Sequence, residues 1–480
     1  MSSDTEETPA TAHTESHDPA VPEAYAAFMR TGWGDRELDL PTHPIAPWAA
    51  ARRERLAAVF PGERLVVPAG VFKQRANDTN YRFRSDTAHT WLTGNQTSDA
   101  VLVLDDTADG ATLYCRPRSS RDTDEFFRDR DYGELWAGRR PSLREISDSL
   151  GIATAHLDEL PARLRPSAPT RVLRGRDPRI DALLPEVDAD DPISRDAELE
   201  RVLSELRLVK DAWELDELRG ACDITTLGFE DCVRDWDNAI RHGERWIEGT
   251  FFRRARAMGN DIGYDSIVGG GRHATTLHWI DNTGPVVPGE LILMDMGAEA
   301  TSLYTADVTR TLPVSGTFTP LQRDLYNLVL TAQRVGIDTV RPGVTFRGAH
   351  NAAMEVIAHG LEDLDLLPCS AEEALDPQSK VYSRWTLHGV SHMLGMDVHD
   401  CAEASTDAYV EGDLAEGMVL TVEPGLYFQE DDKLVPEELR GIGIRIEDDI
   451  LVTAGGSENL SDALPRDPDA IEEWMGRLRG

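Results

Sequence analysis

Four carboxylates stand inside stretches that otherwise read as buried β-strands: Asp295 in ILMDMG, Asp307 in YTADVTRT, Glu423 in LTVEPG and Glu447 in IRIEDD. A charged carboxylate inside a sheet is costly unless something compensates it. One such acid needs no special account, because strands end and their faces alternate into water. Four of them, each beside Val, Ile or Met, require a common counter-charge. Two divalent cations supply it, since two ions of charge +2 balance four carboxylates. Hard oxygen ligands joined by one or two imidazoles suit Mn²⁺, Co²⁺ or Zn²⁺. Carboxylates also bridge two ions at the roughly 3.5–4 Å separation of two-metal hydrolases. Asp295 and Asp307 flank a short turn, and a hairpin there brings them side by side.

Imidazoles are at hand in HGVSHMLGMDVHD, residues 388–400, which holds His388, His392 and His399. A zinc-protease helix carries Glu directly after its first His. Here that position is Gly389, and glycine weakens a helical reading. From these residues alone the segment is either a source of metal ligands or a polar loop.

The surrounding chain has room for two domains, since 480 residues exceed the usual single core. Residues 1–45 read as a disordered acidic extension, because the first stretch is rich in Ser, Thr, Glu and Pro and poor in large apolar residues. Order is expected from PTHPIAPWAAARRERLAAVF onward. A smaller α/β amino-terminal domain is expected over 46–190, with AVLVL and ATLYC as strands around DDTADG and PSLREISDSLG as a helix closed by glycine. The acidic, proline-containing DADDPISRDA (188–197) suits a junction. Over 191–480, two helical stretches precede β-branched, glycine-punctuated runs, which predicts an α+β domain with helices laid on an antiparallel sheet.

The net charge of −37 repels nucleic acid and anionic membranes, so neither is an expected partner. Five cysteines with no CxxC pair fit a reducing compartment. No apolar run approaches the roughly 20 residues of a membrane span. A cytoplasmic protein is expected.

LHWIDNT, MDMGAE, TADVTRT, HGVSHMLGMDVHD, TVEPGLY and GIGIRIEDD occur in that order. With them the chain resembles the Xaa-Pro aminopeptidases (aminopeptidase P), metallopeptidases that share the pita-bread fold with methionine aminopeptidase, prolidase and creatinase. ANDTNYRFRSDTAHTWLTG and ELWAGRR extend the likeness into the amino-terminal half. The resemblance implies five metal ligands: Asp295 on one ion, Asp307 and Glu447 bridging both, His392 and Glu423 completing the second. Manganese is the family's usual metal. Such a pair lowers the pKa of a shared water, and the resulting hydroxide attacks the carbonyl before proline while Glu423 handles the proton.

The same resemblance casts His278, His388 and His399 as hydrogen-bond donors to the substrate and its oxyanion. It makes Tyr427, Arg445 and Asp78 a relay, with Arg445 and Glu447 two apart on one strand face. Trp136 is implied as a wall of the proline pocket, contributed from a neighbouring subunit of a homodimer or homotetramer. The expected substrates are peptides with proline second. A prolidase acting on dipeptides has the same ligands and is the nearest alternative. A metal-free creatinase-like enzyme or a catalytically dead binding protein is expected to have lost ligands that this chain keeps.

Overall fold

The computed structural model describes residues 21–34, 37–105, 110–165, 168–184 and 194–480. They fall into two compact units that divide between Leu199 and Glu200.

In the first unit, five strands form a mixed sheet in the order Ala153–His156, Ala111–Cys115, Val101–Leu104, Arg64–Pro68 and Thr170–Val172. The central pairings are antiparallel and the two outer ones parallel. A parallel partner needs a crossover, and the helix Leu143–Leu150 lies in the one leading to Ala153–His156. That helix is delimited locally. Ser142 and Glu145 form a capping box at its start, and Gly151 takes a left-handed conformation at its end.

One expectation needs correction here. Residues 21–45, expected as part of a disordered extension, hold the helix Glu23–Met29. Ala26 is buried with Phe126 and Phe127, with Val21 and Met29 packed alongside. Trp33 meets Phe126 edge-on at 5.1 Å. Averaging over the polar start of the chain hid apolar side chains whose partners lie about a hundred positions away. Residues 1–20, and most of the expected junction at 188–197, lie outside the described residues.

The second unit is α+β as expected, and all its strand pairings among the described residues are antiparallel. Leu291–Met296 lies between Val308–Pro313 and Ile267–Gly270. A second group runs Val419–Val422, Asp448–Thr453, Gly456–Asn459, and Gly425–Phe428 pairs with Ile442–Arg445. Side chains and loops stitch the groups together. Thr311 donates its hydroxyl to Arg445 O at 2.9 Å, and the Glu447 N–H reaches Thr309 O at 3.1 Å.

Four long helices, Ala212–Arg234, Glu244–Met258, Pro320–Thr339 and Arg347–Asp363, carry the apolar side chains that cover these strands. Phe229, Phe251, Ile292, Met294, Val329, Leu361 and Ile450 all belong to one buried core. Thr319 and Gln322 cap Pro320–Thr339 reciprocally, and its Pro sits in the first turn, where a missing N–H costs nothing. The layered core leaves the ends of the strands near 295, 307, 423 and 447 to build the site.

Candidate metal centre and active site

The hairpin of Leu291–Met296 with Val308–Pro313 sets Asp295 opposite Thr309 and Met296 opposite Val308. Asp307 therefore lies diagonally across from Asp295, one residue before the second strand. The Tyr264 hydroxyl joins them, 2.6 Å from Asp295 Oδ1 and 2.5 Å from Asp307 Oδ1. One hydroxyl proton cannot serve two ionised carboxylates at once. The pair is thus drawn closer than this phenol alone can stabilise.

On the facing strand, Arg445 donates to Asp295 Oδ2 at 2.5 Å, to the Tyr427 hydroxyl at 2.9 Å and through Nε to Thr309 Oγ1 at 3.2 Å. Thr309 in turn donates to Glu447 Oε2 at 2.5 Å. Arg445 and Glu447 thus converge on one hydroxyl. Gly425, directly across from Arg445, is required beside them: a Cβ there would fall 2.3 Å from the Tyr427 hydroxyl oxygen.

The histidine-rich segment is not a helix. It is an irregular loop, anchored by an isolated bridge between Met393 and Leu420 and by the Thr421 N–H donating to His392 O at 2.9 Å. His392 Nε2 lies 3.2 Å from Asp307 Oδ2 and 3.7 Å from Glu423 Oε1. The Glu423 N–H is held by Val390 O at 2.8 Å. His388 has both ring nitrogens engaged within the protein: Nδ1 is 2.8 Å from Gly389 O and 3.4 Å from Glu423 Oε2, and Nε2 is 2.8 Å from the Tyr427 hydroxyl. The His399 ring stands edge-on to His392 at 4.3 Å.

Electrostatics mark this cluster as incomplete without cations. Burial pushes the Glu423 carboxyl up to about 8. Burial also raises Asp295 and Glu447, the latter helped by repulsion from Asp307 and Glu423. Burial opposes ionisation of Asp307 too, but the His392 hydrogen bond holds that carboxyl low. The reciprocal effect holds His392 at about 9 against the pull of burial. Burial drives His388 down to about 3 and the Tyr427 phenol up to about 12.

Four carboxylates thus share Arg445 and His392 as their nearest cations. Glu447 Oε1 is buried and has no hydrogen-bond partner. Asp307, His392 and Glu447 each offer one ligand atom within 4.8 Å of the others. An orphaned carboxylate oxygen, hard donors and excess negative charge fit divalent cations.

The contacts above do not include His278, Asp78 or Trp136. His278 is exposed, and its charge bears on His388 and His399. Asp78 and Trp136 belong to the first unit. There Asp78 accepts from Arg130 at 2.7 Å, and the Trp136 indole donates to Phe127 O at 2.7 Å, with the Arg130 guanidinium 5.2 Å from its ring centre. Sequence reasoning missed Tyr264 and Thr309. Thr309 lies inside TADVTRT, two residues after Asp307, and that period-two spacing was the available signal. Tyr264 offered none.

Residues 216–454 match the model of metallopeptidase family M24, and residues 49–171 match that of the aminopeptidase P N-terminal domain. The chain is 53% identical over 467 residues to Xaa-Pro aminopeptidase 1 of Streptomyces coelicolor, covering 96% of this chain and 94% of the relative. It is 32% identical to the Xaa-Pro aminopeptidase of Escherichia coli, covering 89% and 97%. Among solved structures it is similar to Pseudomonas aeruginosa aminopeptidase PepP, with a TM-score of 0.80, 30% identity and coverage of 91% and 99%. Aminopeptidase P from Escherichia coli with the inhibitor Pro-Leu gives 0.79 and 29%, with coverage of 91% and 100%.

Proposed function

The chain belongs to metallopeptidase family M24 and is an Xaa-Pro aminopeptidase, and on that footing we propose how its own residues divide the work. Asp295, Asp307, His392, Glu423 and Glu447 would hold two divalent ions, with manganese the metal we expect. Such ions supply Lewis-acid polarisation and lower the pKa of water within the site.

Glu423 takes the proton from the attacking water and delivers it to the proline nitrogen, which must gain a proton before the C–N bond breaks. A carboxylate at hydrogen-bond reach of the reacting water and of the leaving nitrogen can serve both halves of that transfer. The exposed His278, and His399 beside His392, donate to the substrate carbonyl as it becomes an oxyanion. His388 orients Tyr427 through Nε2 and stands beside Glu423, with Nδ1 3.4 Å from its Oε2. Arg445 fixes Asp295 and, through Thr309, Glu447.

Why proline? An X-Pro bond is a tertiary amide without N–H, so selection rests on an apolar wall rather than on an acceptor. Trp136 is 55% exposed in the single chain. We take Trp136 of a neighbouring subunit in an oligomer to be that wall. No helix among the described residues is long and apolar enough to cross a membrane.

The convergence of three buried acids and the partly buried Glu423, with one carboxylate oxygen left orphaned, carries this reading. The experiment is metal depletion followed by manganese addition, with release of the first amino acid from Xaa-Pro-Xaa peptides measured for wild type and Glu423→Gln. Expected is manganese-dependent release that falls by about 10²–10⁴ in the variant. Equal rates in the two proteins overturn the assignment. A tripeptide cleaved faster than an Xaa-Pro dipeptide separates the enzyme from a prolidase.

A further inference from the structure

Helix Arg347–Asp363 contributes no residue to the site described so far, yet His350 in its first turn touches the loop that carries His388 and His392. The Val390 N–H donates to His350 Nδ1 at 3.3 Å. Val390 is 1% exposed, so water does not replace that acceptor. A buried N–H left unmatched costs about 1–3 kcal/mol.

The same peptide plane ends in the Gly389 carbonyl, which lies 2.8 Å from His388 Nδ1. A carbonyl oxygen only accepts. Neutral His388 therefore carries its proton on Nδ1, and Nε2 accepts the Tyr427 hydroxyl proton at 2.8 Å. Val390 O, one atom group further on, holds the Glu423 N–H. One short stretch of backbone thus grips both Glu423 and His388, and His350 satisfies its remaining donor. Peptide groups in series polarise one another: an acceptor on the Val390 N–H makes the Gly389 oxygen a better acceptor for His388.

We infer that His350 is a positioning residue for the hydrolysis: by accepting the Val390 N–H it holds the Gly389–Val390 peptide, and through it the tautomer and ring orientation of His388 beside Glu423. His350 does not touch the reacting atoms. Its effect passes through one peptide group, and the inference rests on the roles given above to Glu423 and His388.

The test compares full-length, manganese-loaded enzyme carrying His350→Leu or His350→Asn. Leucine keeps bulk and removes the acceptor, whereas the Asn Oδ1 falls where Nδ1 was. His350→Leu is expected to retain its manganese and fold with kcat lowered about 10-fold or more and KM close to wild type, and His350→Asn to recover most of kcat. A merely structural histidine does not give that split or that rescue. Wild-type kcat in His350→Leu, or an equal loss in both variants, overturns the inference. If the leucine variant does not fold, His350→Ala takes its place with the same outcomes. Glu423→Gln run in parallel keeps the two claims apart: full activity there removes the site assignment itself, whereas an inactive Glu423→Gln beside a fully active His350→Leu removes only the role of His350.

Discussion

Tyr264 is the residue on which the metal-free site depends most visibly, because its single hydroxyl spans Asp295 and Asp307. Tyr264→Phe leaves the two carboxylates without it. Manganese affinity is expected to drop by about 10–100-fold, the range for partners that orient ligands. Calorimetric titration of the metal-free variant checks this, and unchanged affinity counts against the role.

The acids also make stability depend on pH in a definite direction. Burial raises Glu423 to about 8 and raises Asp295 and Glu447. In the metal-free protein the folded state therefore binds these protons more tightly than the unfolded chain. That contribution is present below the ordinary carboxylate range and is lost as pH rises through the folded values. His392, held at about 9 by Asp307 against burial, works in the same sense and loses its contribution through about 9. Asp307 acts oppositely, but only toward acid pH. The Tm of chelated protein is expected to fall between about pH 6 and pH 9, and manganese to flatten the decline. A chelated Tm that rises across this window contradicts the protonation pattern.

At the scale of elements, the hairpin around 295 and 307 exists because its strands come closer than side chains allow. Gly297 follows the first strand, and a Cβ there would stand 1.7 Å from Ala306 O. Gly297→Ala must push the two arms apart, and with them Asp295 and Asp307. Overpacking of this kind costs about 1–3 kcal/mol. The expected result is a lower Tm together with weakened manganese binding. Wild-type values for both show that the hairpin relaxes without disturbing the ligands. The histidine loop is held differently, by backbone contacts to Thr421 and Leu420 rather than by a helix. That is why Gly389, so damaging to a helical reading, is harmless where it lies.

For the whole molecule, a net charge of −37 sets a background of self-repulsion. Screening shortens its reach to about 10 Å at 0.1 M salt. The Tm of metal-free protein is expected to rise between about 10 mM and about 200 mM sodium chloride. A flat or falling curve indicates that local ion pairs outweigh the global charge. The acidic site lies inside that field, and divalent cations relieve both at once.

Much of this was legible without coordinates. The α+β character of the second half follows from contiguous pattern, because side-chain period and turn residues are written into neighbouring positions. The acids betrayed themselves by standing in apolar text, and the ordered motifs pointed to the family. Residues whose importance comes from distant partners stayed hidden. Tyr264 meets Asp295 across 31 positions, and that separation leaves no local trace. The helix Glu23–Met29 was missed for the same reason, since its apolar face finds Phe126 only in three dimensions. The sequence by itself determined which donors are present and which local segments carry them. Only the tertiary structure decided which oxygen is left without a partner, which histidine is already engaged and which backbone N–H needs His350, because those are properties of space between strands rather than of order along them.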